Sequence, residues 1–208
     1  LFKAQRQIND ADLPDPAAKL GLLQLAIERL GQGGYDYIGM DHFALPDDEL
    51  SIARAHGGLH RNFMGYTTHA DSDLVGLGVS AISHVGDTYS QNPRDVTAWQ
   101  VALDQGQLPV FRGMQLSPDD QLRADLIQAL MCQGEIPVAA LERRHDIDFG
   151  SYFAEALDKL QPLADDGLVR FGPGRIEVTS RGRLLLRNIA MCFDHYLDQA
   201  SQHPGGPR

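Results

Sequence analysis

Apolar residues recur at helical spacing through Leu20, Leu23, Ile27 and Leu30, until Gly31, Gly33 and Gly34 end the pattern. Asp15-Pro16 marks the start, because proline fits a first helical turn and an acidic side chain there complements the helix dipole. Tyr35 to Met40 is short, aromatic and β-branched, which predicts a buried strand. A helix followed by a strand at this distance predicts a unit of a parallel α/β sheet or barrel. Asp41, His42 and Phe43 would then sit at the strand's carboxyl end, where such folds carry their chemistry. Asp47-Asp48-Glu49 opens a second helix that runs to about His56 and stops at Gly57-Gly58.

From Leu59 to Asn92 the texture changes. Gly65, Gly76, Gly78 and Gly86 permit close backbone approach, while Leu74, Val75, Leu77, Val79 and Ile82 are apolar enough to be buried beside them. The stretch predicts a ligand wall. A helix follows between Pro93 and Gln105, around Val96, Trp99 and Val101.

Ser117-Pro118-Asp119-Asp120 supplies an N-cap, a first-turn proline and acids for a helix through Leu122, Leu126, Ile127, Leu130 and Met131. A domain boundary near residue 110 divides residues 1–109 from residues 110–208. Helices at Pro137 to His145 and Phe149 to Leu163, a hairpin turning at Gly172-Pro173-Gly174, and a closing helix from Ser180 to Leu197 make the second unit winged-helix-like.

Composition narrows the classes of function. The chain carries 28 acidic against 18 basic residues, a formal charge of −10, so its mean field repels phosphate backbones and anionic membranes. The candidate reading helix, Phe149 to Leu163, sets Lys159 against Glu155 and Asp158, whereas a DNA-reading helix is basic. Arg175, Arg181, Arg183 and Arg187 make the wing more positive, which keeps a winged-helix regulatory module as an alternative. No apolar run approaches the roughly 20 residues that cross a bilayer, and Leu1 to Asp15 does not read as a signal peptide. Cys132 and Cys192 lie far apart in helical patterns, so neither a disulfide framework nor a metal knuckle is indicated and the compartment reads as reducing, hence cytoplasmic. His56, His69, His84, His145, His195 and His203 show no HxxxH or HExxH spacing, and no metal is assigned to them. The absence of an initiator Met at Leu1 reads as the start of a fragment.

The ordered series YIGMDHFALPDDELSIA, RNFMGYTT, DLVGLGVSAIS, LADDGLV, IEVTSRGRLLLRNI and MCFDHYL resembles the oxygen-independent coproporphyrinogen III oxidase family of radical S-adenosylmethionine (SAM) enzymes. The resemblance runs from Phe2 to about Gln199. It implies an α/β plus α fold: the carboxy-terminal end of a partial TIM-type (β/α)6 radical SAM barrel, then a mainly helical, winged-helix-like domain. It also implies a 4Fe-4S cluster that cleaves SAM to a carbon radical, oxidative decarboxylation of two propionates of coproporphyrinogen III to vinyls, and protoporphyrinogen IX as product in haem biosynthesis. An electron donor for the cluster, a monomeric state and no nucleic-acid partner go with it. The family's CxxxCxxC loop does not occur in this chain, so the cluster ligands are expected upstream and the fragment alone is expected to be inactive. A haem-binding relative is a further alternative, but such relatives carry an NxxYW form where Asn62 is here followed by FMGYTT.

By the same resemblance Ile82, Phe63 and Met64 contact SAM, and Met64 replaces a polar contact with a thioether. Without it, Ile82 reads as a core residue. Two readings of Asp41 and His42 stand side by side: a catalytic anchor and proton carrier, or a capping Asp and a structural His. His60 and Arg61 are candidates for receiving substrate propionates, since Arg offers carboxylates a bidentate fork, and a solvated surface cluster is the other reading.

Overall fold

The structure is a computed structural model that describes residues 8–70 and 72–197; His203 and the outer ends of both expected units lie outside them. Helix α1 spans Pro16–Gln32, capped by the Asp15 carboxylate, which accepts from the Ala18 N–H at 2.7 Å. Strands β1 (Asp36–Gly39) and β2 (His42–Ala44) follow, then helix α2 (Glu49–Ala55). Two hairpins come next, β3 (His60–Asn62) with β4 (Gly65–Thr67) and β5 (Ile82–Val85) with β6 (Thr88–Gln91). Helix α3 (Val96–Asp104) leads to β7 (Arg112–Gln115), which joins the edge of β6.

The rest is built around α4 (Pro118–Gln133). Its start is a reciprocal cap: Ser117 Oγ accepts from the Asp120 N–H at 3.2 Å while the Asp120 carboxylate accepts from the Ser117 N–H at 2.9 Å. Gly134 ends it in the left-handed region at φ 74°. Then come β8 (Glu135–Ile136), α5 (Val138–His145), α6 (Phe149–Tyr152), α7 (Ala154–Asp165), β9 (Val169–Gly172), β10 (Arg175–Val178) and α8 (Leu186–Met191). The last sheet has the order β8-β10-β9, with Ile176 of β10 paired to both Ile136 and Phe171.

Leu122, Leu126 and Leu130 recur four apart on α4 and meet Leu141, Phe149, Phe153, Leu160, Ile189 and Phe193 in the main core. A smaller core holds Ile38, Ala44, Leu59, Tyr66 and Cys132, the last again from α4. One helix thus contributes to both cores from different faces.

The content is mixed α and β, as read from the sequence, but four expectations are corrected. Every strand pair among the described residues is antiparallel, and no closed barrel is present among them. Met40, at φ 54°, reverses the chain and lays His42–Ala44 back along β1, so His42 opens a strand where the parallel unit would have had a loop. The apolar residues of the glycine-rich stretch are not buried: Val75 is 66% and Leu77 89% exposed, and Val79 is exposed too. Phe153 divides the helix expected at Phe149 to Leu163, because its ring is drawn into the core between Phe149 and Phe193 at 4.9 and 5.7 Å. The closing helix is also interrupted. A 3-10 turn at Gly182–Leu185 precedes α8, with Gly182 packed against the Leu168 carbonyl and its N–H donating to Thr179 Oγ1 at 3.1 Å.

Leu126→Ala removes a fully buried side chain from the centre of the main core. Chemical unfolding should show a loss of about 2–5 kcal/mol, and a loss below about 1 kcal/mol would mean that α4 is not the core's central element.

Candidate functional site

The two hairpins and α4 enclose a cavity of about 770 Å³. Its lining includes His60, Arg61 and Phe63 from the first hairpin, His84 and Tyr89 from the second, and Asp125, Gln128, Arg144 and His145 from the helical part.

Gln128 fixes the first hairpin to α4. Its Oε1 accepts from the Arg61 N–H at 3.2 Å, and its Nε2 donates to the Arg61 carbonyl and faces His60 Nε2 at 3.1 Å. A side-chain amide thus takes the place of a neighbouring strand along the edge of β3. The Tyr66 hydroxyl adds a second tie, donating to the Met131 carbonyl at 3.1 Å. Burial pushes the Tyr66 phenol up to about 12 and the Cys132 thiol up to about 11.

Phe63 and Met64 form the tip between β3 and β4, where the Met64 N–H donates to Asn62 Oδ1 at 2.8 Å. Phe63 turns its ring edge-on to Tyr89 at 5.4 Å, and Tyr89 stacks on His84 at 4.1 Å, so one side of the cavity is an aromatic wall. Met64 is 85% exposed and does not line the cavity.

The glycine-rich strap beside the second hairpin has its own fastening. Asn92, a buried polar residue, donates to the Gly78 carbonyl at 2.8 Å, and the Gly76 N–H donates to Ser83 Oγ at 3.0 Å. Gly76 lies so close to Ile82 that a Cβ there would stand 2.6 Å from the Ile82 carbonyl oxygen. Ile82 begins β5 opposite Gln91 and is half-buried outside the cavity lining.

Asp41 and His42 are brought together but outside the cavity. His42 Nδ1 lies 2.9 Å from Asp41 Oδ1, with the Asp41 side chain 85% exposed, and the His42 ring meets Tyr66 edge-on at 5.1 Å. The ring also crosses Gly65, where a Cβ would stand 2.8 Å from His42 Nε2, so Gly65 has a packing reason.

Sequence reasoning placed His60, Arg61 and Phe63 in the site but missed its helical side. There, Asp125 Oδ2 meets both Arg144 Nε at 3.2 Å and His145 Nε2 at 2.9 Å. The signal available was the basic run Arg143-Arg144-His145 at the end of α5, which also complements that helix's dipole. No group of three potential metal ligands occurs among the described residues. The two cysteines do not suit an iron–sulfur cluster: they are two where three thiolates are needed, and burial raises both thiols away from the thiolate form.

The chain superposes on the solved structure of an Escherichia coli protein described as a radical SAM enzyme, with a TM-score of 0.89 and 51% identity over 94% of this chain and 45% of that one. The HemN C-terminal domain family matches residues 116–185. The curated oxygen-independent coproporphyrinogen III oxidases of Escherichia coli and Pseudomonas aeruginosa are 51% and 54% identical to it, covering 97% and 94% of this chain. In sequence and fold the chain therefore matches the carboxy-terminal part of the oxygen-independent coproporphyrinogen III oxidase family. It spans 44% and 43% of the length of those two relatives.

Two measurements test the site's framework. Gln128→Ala leaves the Arg61 N–H and carbonyl without their partner and should cost about 1–3 kcal/mol in urea unfolding, with faster hydrogen exchange at the Arg61 amide. Unchanged exchange would remove Gln128 as the tie. For Tyr66, the folded-state value of about 12 lies above the ordinary 10.0, so its contribution to stability is complete below pH 10 and is lost as pH rises towards 12. Wild type should lose more stability than Tyr66→Phe between pH 9 and 11.5, and equal slopes would exclude the phenol as the cause.

Proposed function

We propose that this chain supplies the substrate-facing wall and helical cover of an oxygen-independent coproporphyrinogen III oxidase. The observation that carries the reading is the superposition at a TM-score of 0.89 over 94% of the chain, at 51% identity. The reaction is the oxidative decarboxylation of two propionates of coproporphyrinogen III to vinyls, giving protoporphyrinogen IX. SAM and a 4Fe-4S cluster supply the radical chemistry in enzymes of this class, with an external electron donor, and the cluster ligands are not residues of this chain.

The roles left to this chain's residues are binding, orientation and exclusion of water. Phe63 and Ile82 offer apolar surface to the adenosyl group, and Met64 a thioether at the exposed tip between β3 and β4. His60 and Arg61 face the substrate's carboxylates from β3. Asp41 and His42, paired in the turn between β1 and β2, are candidates for polar contact or proton transfer only if substrate reaches that edge. The helical unit covers the cavity and keeps water from the reactive carbon.

The two-unit organisation, residues 1–109 and 110–208, is part of this reading, with β7 reaching back across the division to pair with β6. For the second unit we infer a winged-helix-like arrangement. It is supported by the order α4, β8, α5, α7, β9, β10, by the antiparallel β8-β10-β9 sheet, and by the wing turn at Gly172-Pro173-Gly174. The acidic character of α7, with Glu155 and Asp158, favours a covering role over nucleic-acid reading. The reading places the protein in the reducing cytoplasm as a monomer. No described helix is long and apolar enough to cross a membrane.

The test is a chimera in which this chain replaces the matching part of the Escherichia coli relative. After anaerobic cluster loading, the chimera should form vinyl groups from coproporphyrinogen III, whereas the 208-residue chain alone should bind no stoichiometric cluster and give no 5′-deoxyadenosine. Ile82→Asp in the chimera should lower turnover by about tenfold or more, since a carboxylate there would lose solvation against an apolar ligand. An inactive chimera with an intact cluster would overturn the functional reading, and cluster formation by the chain alone would overturn the assignment of the ligands.

A further inference from the structure

We propose that the cavity between the hairpins and the helical unit seats a tetrapyrrolic ligand by its peripheral carboxylates, with Arg61 on β3 and Arg144 on α5 as carboxylate-binding residues and Asp125 as the residue that positions Arg144. The inference rests on the functional reading above and adds to it a specificity-determining residue in the helical unit.

The hydrogen-bond inventory of the lining points to an anionic ligand. Each of its carboxylates already accepts from a protein donor. Asp73 Oδ1 accepts from the Gly86 N–H at 2.9 Å, and Asp87 accepts from Gln115 Nε2 at 3.0 Å and from Thr88 Oγ1 at 3.2 Å. Asp125 Oδ2 is shared by Arg144 and His145. Its donors are not all engaged. Arg61 Nε is a buried donor with no hydrogen-bond partner among the described residues, and the ring nitrogen His84 Nε2, a donor or an acceptor by tautomer, has none either. Arg144 meets Asp125 through Nε, which leaves the terminal nitrogens of its fork for a second carboxylate, and its side chain is 72% exposed at the cavity. A buried guanidinium nitrogen without an acceptor costs free energy, so the fold keeps Arg61 in the lining at some cost to stability.

The wall says what carries those carboxylates. Tyr89 and His84 form a stacked aromatic pair, which suits the face of pyrrole rings better than an aliphatic chain, and Phe63 beside them is left to the adenosyl group. A volume of about 770 Å³ lies within the range of sites that hold compounds of this size. Arg61 and Arg144 stand on opposite units of the fold, one on a hairpin strand and one at the end of α5. A ligand with carboxylates on different edges of one tetrapyrrolic frame can engage both.

Asp125 acts through Arg144. It lies on α4, whose Leu122 and Leu126 are fixed in the main core, so the carboxylate is a rigid anchor for an otherwise mobile side chain. His145 shares the same oxygen, and its ring is mostly buried. It holds Asp125 in place from the other side.

The experiment is a titration of the full 208-residue chain with coproporphyrin III, the stable aromatic form bearing four carboxylates, followed by its visible absorption. Its tetramethyl ester is the probe without charge. The free acid should bind, and the ester should bind at least tenfold more weakly. Arg144→Met should raise the Kd about tenfold, equivalent to about 1.4 kcal/mol. Arg144→Lys should fall between, because it keeps the charge but loses the fork. Arg170→Met, a wing arginine outside the cavity, should leave binding unchanged. The exposure of Arg144 makes its variants safe for folding, which the melting temperature checks. Equal affinity of acid and ester, no binding by the wild-type chain, or wild-type affinity in Arg144→Met would each overturn the proposal. None of these bears on vinyl formation by the chimera, so failure of the carboxylate seat and failure of the assigned reaction are read separately.

Discussion

The site depends on one side-chain amide. Gln128 bonds both backbone groups of Arg61, as a neighbouring strand would, and so turns a two-stranded hairpin into a three-part structure with α4 as its third member. An isolated two-stranded hairpin is marginal in water, because its few cross-strand bonds do not offset the entropy of ordering the chain. With the edge of β3 taken by Gln128 and the Tyr66 hydroxyl tied to Met131, the hairpin inherits the rigidity of a helix that is itself locked in the main core. Phe63, at the tip of that hairpin, is placed relative to α4 through these contacts, with its ring also against Tyr89.

The helix can do this because its faces are separated by sequence spacing. Leu122, Leu126 and Leu130 form a buried stripe, while Gln128 and Cys132 form a second line four apart on a neighbouring face. The Cys132 thiol donates to Gln128 Oε1 at 3.4 Å and fills the smaller core beside Tyr66. Its raised pKa is the consequence of that packing: this cysteine serves as a small apolar residue with one weak donor, and its chemistry is suppressed.

Much of this was legible in the sequence where a local rule decides the outcome. Ser117 with Pro118 and Asp120 is a helix start wherever it occurs, and Gly172-Pro173-Gly174 between two β-rich runs is a hairpin. His60 and Arg61 could be named because cationic donors suit carboxylates, and Phe63 from the family resemblance of RNFMGYTT, and the structure brings all three to the same cavity. What was not legible depends on tertiary partners. The reversal at Met40 needs a left-handed backbone at a residue that rarely adopts it, and no local signal announces that. Val75 and Leu77 look like core residues by type, but Asn92 and Ser83 fasten the strap through its backbone and leave those side chains outside. Arg144 belongs to the site only because Asp125, some twenty residues earlier, lies one helix away.

The apolar surface is distributed unevenly, and this bears on how the cavity behaves. Residues after 116 close a core in which Leu126, Leu130, Leu160, Ile189 and Phe193 are wholly buried, whereas Leu22, Leu25, Leu77, Leu108 and Phe111 before it stand exposed. Burial on that scale makes the helical unit the cooperative centre of stability, while the hairpins are retained by a small set of hydrogen bonds and the minor core around Ile38 and Tyr66. The cavity therefore lies on the boundary between a strongly and a weakly stabilised part. Any ligand that touches both sides of such a boundary binds only the docked arrangement, and by mass action it stabilises the contact between them. Affinity for that ligand and the order of the first hairpin are then one linked quantity, with Gln128 and Arg61 as the place where the link is made.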